Sequence, residues 1–480
     1  MRSQAREINI QATDHVAFIH IPKTAGTTFN TIIEPLLAGL SSCPEYFLTG
    51  LVQSDLDDLR KFQFFRGHFP YALFSEIIFP EGFIGLTFLR DPVERTISNY
   101  RFIQHLLKQD SAPLELPQTA DELDQIKRLT LAELLEHKDL RINKDQVNFQ
   151  TGFIGSSVGS RATLPALLLK LFPRNKGVPA RYKYLRSRVS DVSRVNGEIT
   201  RITLNVARKR LMEIAFLGLV ERFQDSLFLL SYTFEWRPIW DTTRLNAIPE
   251  KDDEEPTNPE MLSRIRDSLK LDLELYQFGQ DIFERRFNNM TKILLQRYGK
   301  KEHAKLRWPL PNDVMVEFLE QNYLGRRDRR AQQDGIPAAE YLYKPTMKVD
   351  GLFGWHIPDF SPEHGHMCWS GPGLYSGFDL PCPSGTDIQI SFRILMALHP
   401  VIIEQLSLTV NSIPMTLNHS VDSDGAFIFT GDIPPTAISG RFLRLVFIIP
   451  MTIVPGSVDK SNHDPRQVGF LLNWIKLQSH

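Results

Sequence analysis

Directly after the apolar run VAFIHI (Val16–Ile21) and Pro22, the chain places Lys23-Thr24-Ala25-Gly26-Thr27-Thr28. A strand that ends at Pro22 and a helix that begins near Thr27 would aim backbone N–H groups at whatever lies in front of them, and such groups favour an anion. Gly26 allows close approach of backbone to ligand. Lys23 adds a full positive charge, and two threonine hydroxyls complete a loop suited to a phosphate or sulfate ester. The competing reading is an ordinary strand–turn–helix whose threonines cap. The loop is not a Walker A sequence, because G-x-x-x-x-G-K-[ST] occurs nowhere in the chain and the lysine here precedes the glycine.

A second cluster follows the run FIGLTFL (Phe83–Leu89). Arg90 leaves the carboxyl end of that expected strand, where α/β sheets place ligands. Asp91 and Pro92 then read as N-cap and first helical residue. Val93, Ile97 and Tyr100 form an apolar stripe with Ser98 beside it. Ser98 is about two turns into the helix, so it can return toward Arg90. A surface arginine and a solvent-facing serine are the alternative.

The elements that would hold these residues are those of an α/β domain. VAFIHI, FIGLTFL and IAFLGLV (Ile214–Val220) are continuous apolar stretches, as expected of strands buried on both faces of a parallel sheet. Thr130–His137 and Leu204–Glu213 read as helices. Asn258-Pro259 reads as an N-cap and first-turn proline that opens a long helical stretch through Leu262, Ile265, Leu269, Leu275, Phe278 and Ile282. Residues 300–340 change character and read as a linker with some helix. Beyond Tyr341, DIQISFRIL and QLSLTVN alternate apolar and polar residues amid dense Gly and Pro, the pattern of an antiparallel β-sandwich.

The loop resembles the 5′-phosphosulfate loop, PK-[ST]-[AG]-[GST]-[ST], of sulfotransferases that use 3′-phosphoadenosine 5′-phosphosulfate (PAPS). IHIPKTAGTTF is especially similar to the branch containing heparan sulfate 2-O- and 6-O-sulfotransferases and their bacterial relatives. LRDPVERTISNY is similar to the family's second motif, in which an Arg and a Ser eight residues later hold the 3′-phosphate; Arg90 and Ser98 match type and spacing. The resemblance implies that Lys23, Thr24, Ala25, Gly26, Thr27 and Thr28 bind the cofactor with Arg90 and Ser98. NKDQVNFQTGFIG, FLGLVERFQDSLFLL and LDLELYQFGQDIFERRF carry the match to about residue 287. Arg244, Leu245 and Asn246 correspond weakly to a late cofactor-side segment, and RNKG (174–177) lies too early to match the Arg-Lys-Gly loop of cytosolic members.

Between the two motifs, FFRGHFPYALF contains Gly67-His68, matching a Gly-His that supplies the base in the glycosaminoglycan branch. Sulfuryl transfer asks for alignment, charge neutralisation and a proton acceptor, and a neutral histidine suits the last. Lys23 would stabilise charge on the leaving phosphate. A packing role for His68, or another residue as base, stays open. Arg66 is a candidate for binding an acidic or sulfated acceptor, against a merely solvated arginine.

Elsewhere the sequence excludes more than it assigns. A formal net charge of −1 gives no argument for nucleic acid as partner. Cys43, Cys368 and Cys382 are too few and scattered for a disulfide framework, and Glu363, His364, His366 and Cys368 match no zinc signature. The N-terminus lacks the apolar core of a signal peptide, and no apolar run is long enough to span a bilayer; Phe442–Val454 reads as a buried strand. Two sequons, at Asn289 and Asn418, would then carry no glycan. Trp355 and Trp369 read as core or rim aromatics before a sugar-stacking platform.

The expectation is therefore a P-loop-like sulfotransferase fold with a central parallel sheet over 10–298, a partly helical linker over 299–340 and an all-β sandwich over 341–480. The expected activity is cytoplasmic, PAPS-dependent sulfation of a hydroxyl, on a carbohydrate, by a bacterial enzyme that needs no metal and does not span the membrane. A kinase is the first rival and lacks its Walker lysine. A non-catalytic glycan-binding protein, or a sulfotransferase for a lipid, a phenol or a protein tyrosine, are the others.

Overall fold

The computed structural model describes residues 4–480 apart from 12, 38, 52–53, 109–125, 127, 137–145, 158–198, 240–258, 301–302, 304–308, 335–338, 348, 386, 439, 463 and 465. RNKG (174–177), Arg244–Asn246 and the expected N-cap Asn258 lie outside the described residues. The chain divides into two compact units. The first comprises Met1–Thr28, Ser41–Phe234 and Trp240–Leu306, and the second Phe29–Leu40, Glu235–Ile239 and Arg307–His480.

In the first unit, β1 (Val16–Ile19), β2 (Phe64–Gly67), β3 (Ile84–Leu89) and β4 (Phe216–Leu219) form a parallel sheet in the order β2-β1-β3-β4. Every residue of β1, β2 and β4 is buried, which explains why β1 and β4 are continuously apolar rather than alternating. The three expected strands are all present. β2 was not among them, because Arg66 interrupts its apolar run. Ile19 pairs with Gly67 on one side and Thr87 on the other, so β1 and β2 end level, while β3 and β4 end level with each other two residues further on.

Helices follow the strands: α1 (Gly26–Leu36) after β1, α2 (Pro92–Lys108) after β3, and, further on, α3 (Phe149–Gly155), α4 (Arg201–Glu213) and α5 (Phe223–Phe234). A Thr200/Thr203 capping box starts α4. The helical stretch expected from Pro259 onward is two helices, Pro259–Ser268 and α6 (Lys270–Tyr298), because Leu269 leaves helical geometry at φ −110°, ψ 20°.

The second unit is built on two antiparallel sheets. One has the order β13 (Asn418–Val421), β14 (Phe427–Ile433), β10, β16, β8 (Gly365–Trp369), β7 (Asp359–Ser361), with β5 (Glu340–Tyr343) also paired to β16; the other has the order β12 (Ile413–Pro414), β11 (Ser407–Val410), β15, β9, β6 (Asp350–Phe353). The long central strands are β10 (Ile388–Ala397) and β16 (Phe470–Ser479) in the first, β9 (Tyr375–Pro381) and β15 (Phe442–Ile448) in the second. Ile388, Ile390, Phe392 and Ile394 of β10 point into a core shared with Phe378 and Leu380 of β9 and Leu445 and Phe447 of β15. Trp355 and Trp369 are buried, Trp355 against Phe378, Phe447 and Phe470. α7 (Asn312–Asp334), within the stretch expected as a linker, belongs to this unit. Among the described residues no helix is long and apolar enough to cross a membrane, and no group of three His, Cys, Asp or Glu side chains is arranged to hold a metal.

Candidate active site

Four parallel strands bring four segments to the same edge of the sheet: the loop after β1, Gly67-His68 at the end of β2, Arg90 after β3, and Val220–Arg222 after β4. This is the edge at which α/β sheets bind ligands.

The β1 loop is held in a tight and unusual shape. Lys23 and Ala25 both take left-handed backbone, at φ 69° and 59°. For a residue with a side chain that costs about 1–2 kcal/mol each. Two fixings offset it. The Thr24 hydroxyl, fully buried, donates to the Ile21 carbonyl at 2.7 Å, and the Arg90 guanidinium Nη1 donates to the Lys23 carbonyl at 3.2 Å. The Thr24 hydroxyl hydrogen is therefore spent inside the loop, which leaves backbone N–H groups to face a ligand. Thr27 is exposed at the first turn of α1, and Thr28 is buried.

Two cations meet here with little to neutralise them. Lys23 Nζ lies 4.2 Å from the centre of the Phe102 ring, and no carboxylate pairs with it among the described residues. Burial and the neighbouring Arg90 lower the lysine's pKa from its ordinary value. Among the described residues the carboxylate paired with Arg90 is that of the exposed Glu94, 3.9 Å from its Nη2. An arriving anion would satisfy both.

Arg90 is fixed from behind. The Gln150 amide accepts from its N–H at 3.1 Å and donates to its carbonyl at 2.9 Å. Gln150 and Thr151 N–H in turn donate to the wholly buried carboxylate of Asp272, at 3.1 and 2.7 Å. Asp91 accepts from the N–H of Val93 and Glu94, starting α2, while its own N–H donates to Glu221 at 2.8 Å. Tyr276 donates to the other oxygen of Glu221 at 2.6 Å. Ser98 lies half-buried on α2, its hydroxyl with no hydrogen bond among the described residues.

His68 is oriented by its backbone surroundings. Its Nδ1 is 3.0 Å from the carbonyl oxygen of His20, and a carbonyl can only accept. Nδ1 thus carries the hydrogen in the neutral ring, and Nε2 keeps the lone pair. Burial lowers the pKa of His68, the bond to the His20 carbonyl opposes this, and Lys23 adds to the lowering. The ring leans against His20 at 4.2 Å and Phe47 at 5.5 Å between centroids. Phe47 is 41% exposed, so one side of the base borders an accessible aromatic ring.

Arg66 does not reach solvent. It is buried, donates from Nε to the Tyr46 hydroxyl at 2.8 Å and from Nη1 to the Cys43 carbonyl at 3.1 Å, and lies over the Tyr46 ring. Its visible work is to brace Tyr46, whose carbonyl accepts from His68 N–H at 2.9 Å. The structure therefore brings Lys23, the Thr24–Thr28 loop, Arg90 and His68 to one strand edge and turns Arg66 inward. Sequence reasoning did not single out Gln150, Asp272, Glu221, Phe47 or His20. The stretches NFQTG and GLVE pointed to the neighbourhood without naming the side chains.

The profile of the sulfotransferase family matches residues 6–279. Heparan-sulfate 6-O-sulfotransferase 3 of Mus musculus is 23% identical over 366 residues, covering 66% of this chain and 69% of its own. For heparan-sulfate 6-O-sulfotransferase 3-B of Danio rerio the figures are 24%, 379 residues, 72% and 77%. Heparan-sulfate 6-O-sulfotransferase 3 of Homo sapiens is 27% identical over 131 residues, and this chain spans only 27% of its length. Among solved structures, a family 35 carbohydrate-binding module from Clostridium thermocellum aligns over 30% of this chain and 100% of its own, at 10% identity and a TM-score of 0.20, too low to bear on fold or function. With more than half of its length matched by the family profile, this chain belongs to the sulfotransferase family.

Proposed function

We propose that the protein transfers the sulfuryl group of PAPS to a hydroxyl of a carbohydrate, on a P-loop-like domain spanning about residues 10–298. PAPS supplies an activated sulfuryl group, which passes to the acceptor oxygen and leaves adenosine 3′,5′-bisphosphate. The observation that carries this reading is His68, with its Nε2 lone pair available, at the same strand edge as Lys23, which has no carboxylate partner among the described residues, and Arg90, which has a weak, exposed one in Glu94.

The residues divide the work. N–H groups of the Thr24–Thr28 loop and the Lys23 ammonium hold the 5′-phosphosulfate and take up charge on the leaving oxygen. Arg90 and Ser98 hold the 3′-phosphate, with Gln150 fixing the arginine's backbone. His68 Nε2 accepts the acceptor's hydroxyl proton. An acceptor approaching Nε2 passes Phe47, an exposed ring suited to the apolar face of a sugar. The carbohydrate is supported by the heparan-sulfate enzymes to which the chain is similar.

The test is transfer of radiolabelled sulfate from PAPS to a panel holding desulfated glycans, a lipid alcohol, a simple phenol and a tyrosine peptide. Label on a glycan, reduced about 10²–10⁴-fold in His68→Ala, is the expected result. Transfer to the phenol, lipid or peptide alone would replace the acceptor class, and undiminished transfer by the variant would remove His68 as base.

A further inference from the structure

The mechanism above leaves one buried imidazole unused. His20 follows β1, is 8% exposed, and neither of its ring nitrogens has a hydrogen-bond partner among the described residues. Its ring stacks on Phe18 at 5.2 Å and 11°, and lies against His68 at 4.2 Å and 34°. Its Nε2 also stands 1.8 Å from where a Cβ on Gly26 would be, a distance at which one of the two must move. The same residue's carbonyl holds His68 Nδ1, and its N–H donates to the Gly67 carbonyl at 3.3 Å. His20 therefore touches the first residue of α1 with its ring and the base with both ring and backbone.

In-line transfer needs the acceptor oxygen, the sulfur and the leaving oxygen in a row, so the distance between the base and the loop is a quantity the protein must fix. We propose that His20 is a positioning residue whose imidazole is the spacer between the phosphosulfate loop and His68, and that position 26 is glycine because the spacer occupies the room a side chain would need. This rests on the reading of the site given above. The groups facing the ring suit a neutral spacer: burial, His68 and Lys23 all disfavour a charge on it. A permanently charged or flexible side chain in this place would repel Lys23 or leave the spacing loose.

The experiment compares His20→Ala, Gly26→Ala and the double variant. Gly26→Ala forces the loop against the imidazole, so the thermal midpoint and bisphosphate binding should both fall, and both should recover in His20→Ala/Gly26→Ala. His20→Ala alone should keep bisphosphate affinity but lower kcat, by about 10²-fold if the base is displaced by an ångström. It should also move the His68 titration, followed by NMR on ligand-free protein, up toward the ordinary histidine value. A double variant that merely sums the two losses, or a His20→Ala protein with unchanged kcat and unchanged His68 titration, would overturn the proposal. The thermal coupling and the titration need no ligand. A wild type that fails to bind bisphosphate would therefore sink the functional reading while His20 is still decided.

Discussion

Two clusters of cations in the molecule are handled in opposite ways. In the second unit Asp379, fully buried, accepts from Arg327 at 2.6 Å, Arg444 at 3.1 Å and the Tyr323 hydroxyl at 2.7 Å, with Arg237 at 3.5 Å. Arg237 also pairs with Glu320, and Arg326 with Glu235. In the first unit Lys23 rests on an aromatic ring, and Arg90 has one exposed and distant glutamate. Arginines that find carboxylates inside their own unit are part of its packing. A lysine held on left-handed backbone with no carboxylate among the described residues, beside an arginine whose glutamate is exposed and 3.9 Å away, is arranged for a charge that comes from outside.

The strongest way to break that contrast is Asp379→Ala. It strands several guanidinium groups at a buried site, so stability should fall by about 3–5 kcal/mol. Urea unfolding followed by tryptophan fluorescence, to which buried Trp355 and Trp369 contribute, would measure it. Bisphosphate affinity of the folded protein should not change. Lys23→Met should do the reverse. Here kcat is expected to drop about 10²–10³-fold, while the thermal midpoint holds or rises because repulsion from Arg90 is relieved. A stability loss like that of Asp379→Ala would erase the distinction between the two clusters.

A smaller effect follows from pH. Burial holds both His20 and His68 below the ordinary histidine value. The base is competent when neutral, so the acid limb of kcat/KM should lie below about pH 6.5. The unfolded chain takes up these protons near 6.5 and the folded chain only lower, so stability is full above 6.5. It should then decline by about 1.4 kcal/mol per pH unit per group as pH falls toward the depressed values. An acid limb above 6.5 in a pH–rate profile would contradict the geometry around His68.

The parts of this design that were legible in the sequence are those carried by neighbouring residues. β1, β3 and β4 stand out because burial on both faces makes each run continuously apolar, and the loop stands out because polar types interrupt such a run at Lys23. β2 was hidden by Arg66, whose burial in a strand is helped by Tyr46 and the Cys43 carbonyl, which receive its donors. The break at Leu269 has no Gly or Pro to announce it. Gln150, Asp272 and Glu221 act on partners 55 to 130 residues away, and no local pattern encodes such a contact. His20 reads as the end of a strand until the fold sets it between Gly26 and His68.

The most direct measurement is isothermal titration of adenosine 3′,5′-bisphosphate, against adenosine 5′-monophosphate and ATP, with wild type and Arg90→Ala. Wild type should prefer the bisphosphate by about 10²-fold, the scale of a lost charge-assisted contact to the 3′-phosphate, and the variant should lose that preference. Equal binding of mono- and bisphosphate by the wild type, or tighter binding of ATP, would contradict the assignment of this strand edge to PAPS.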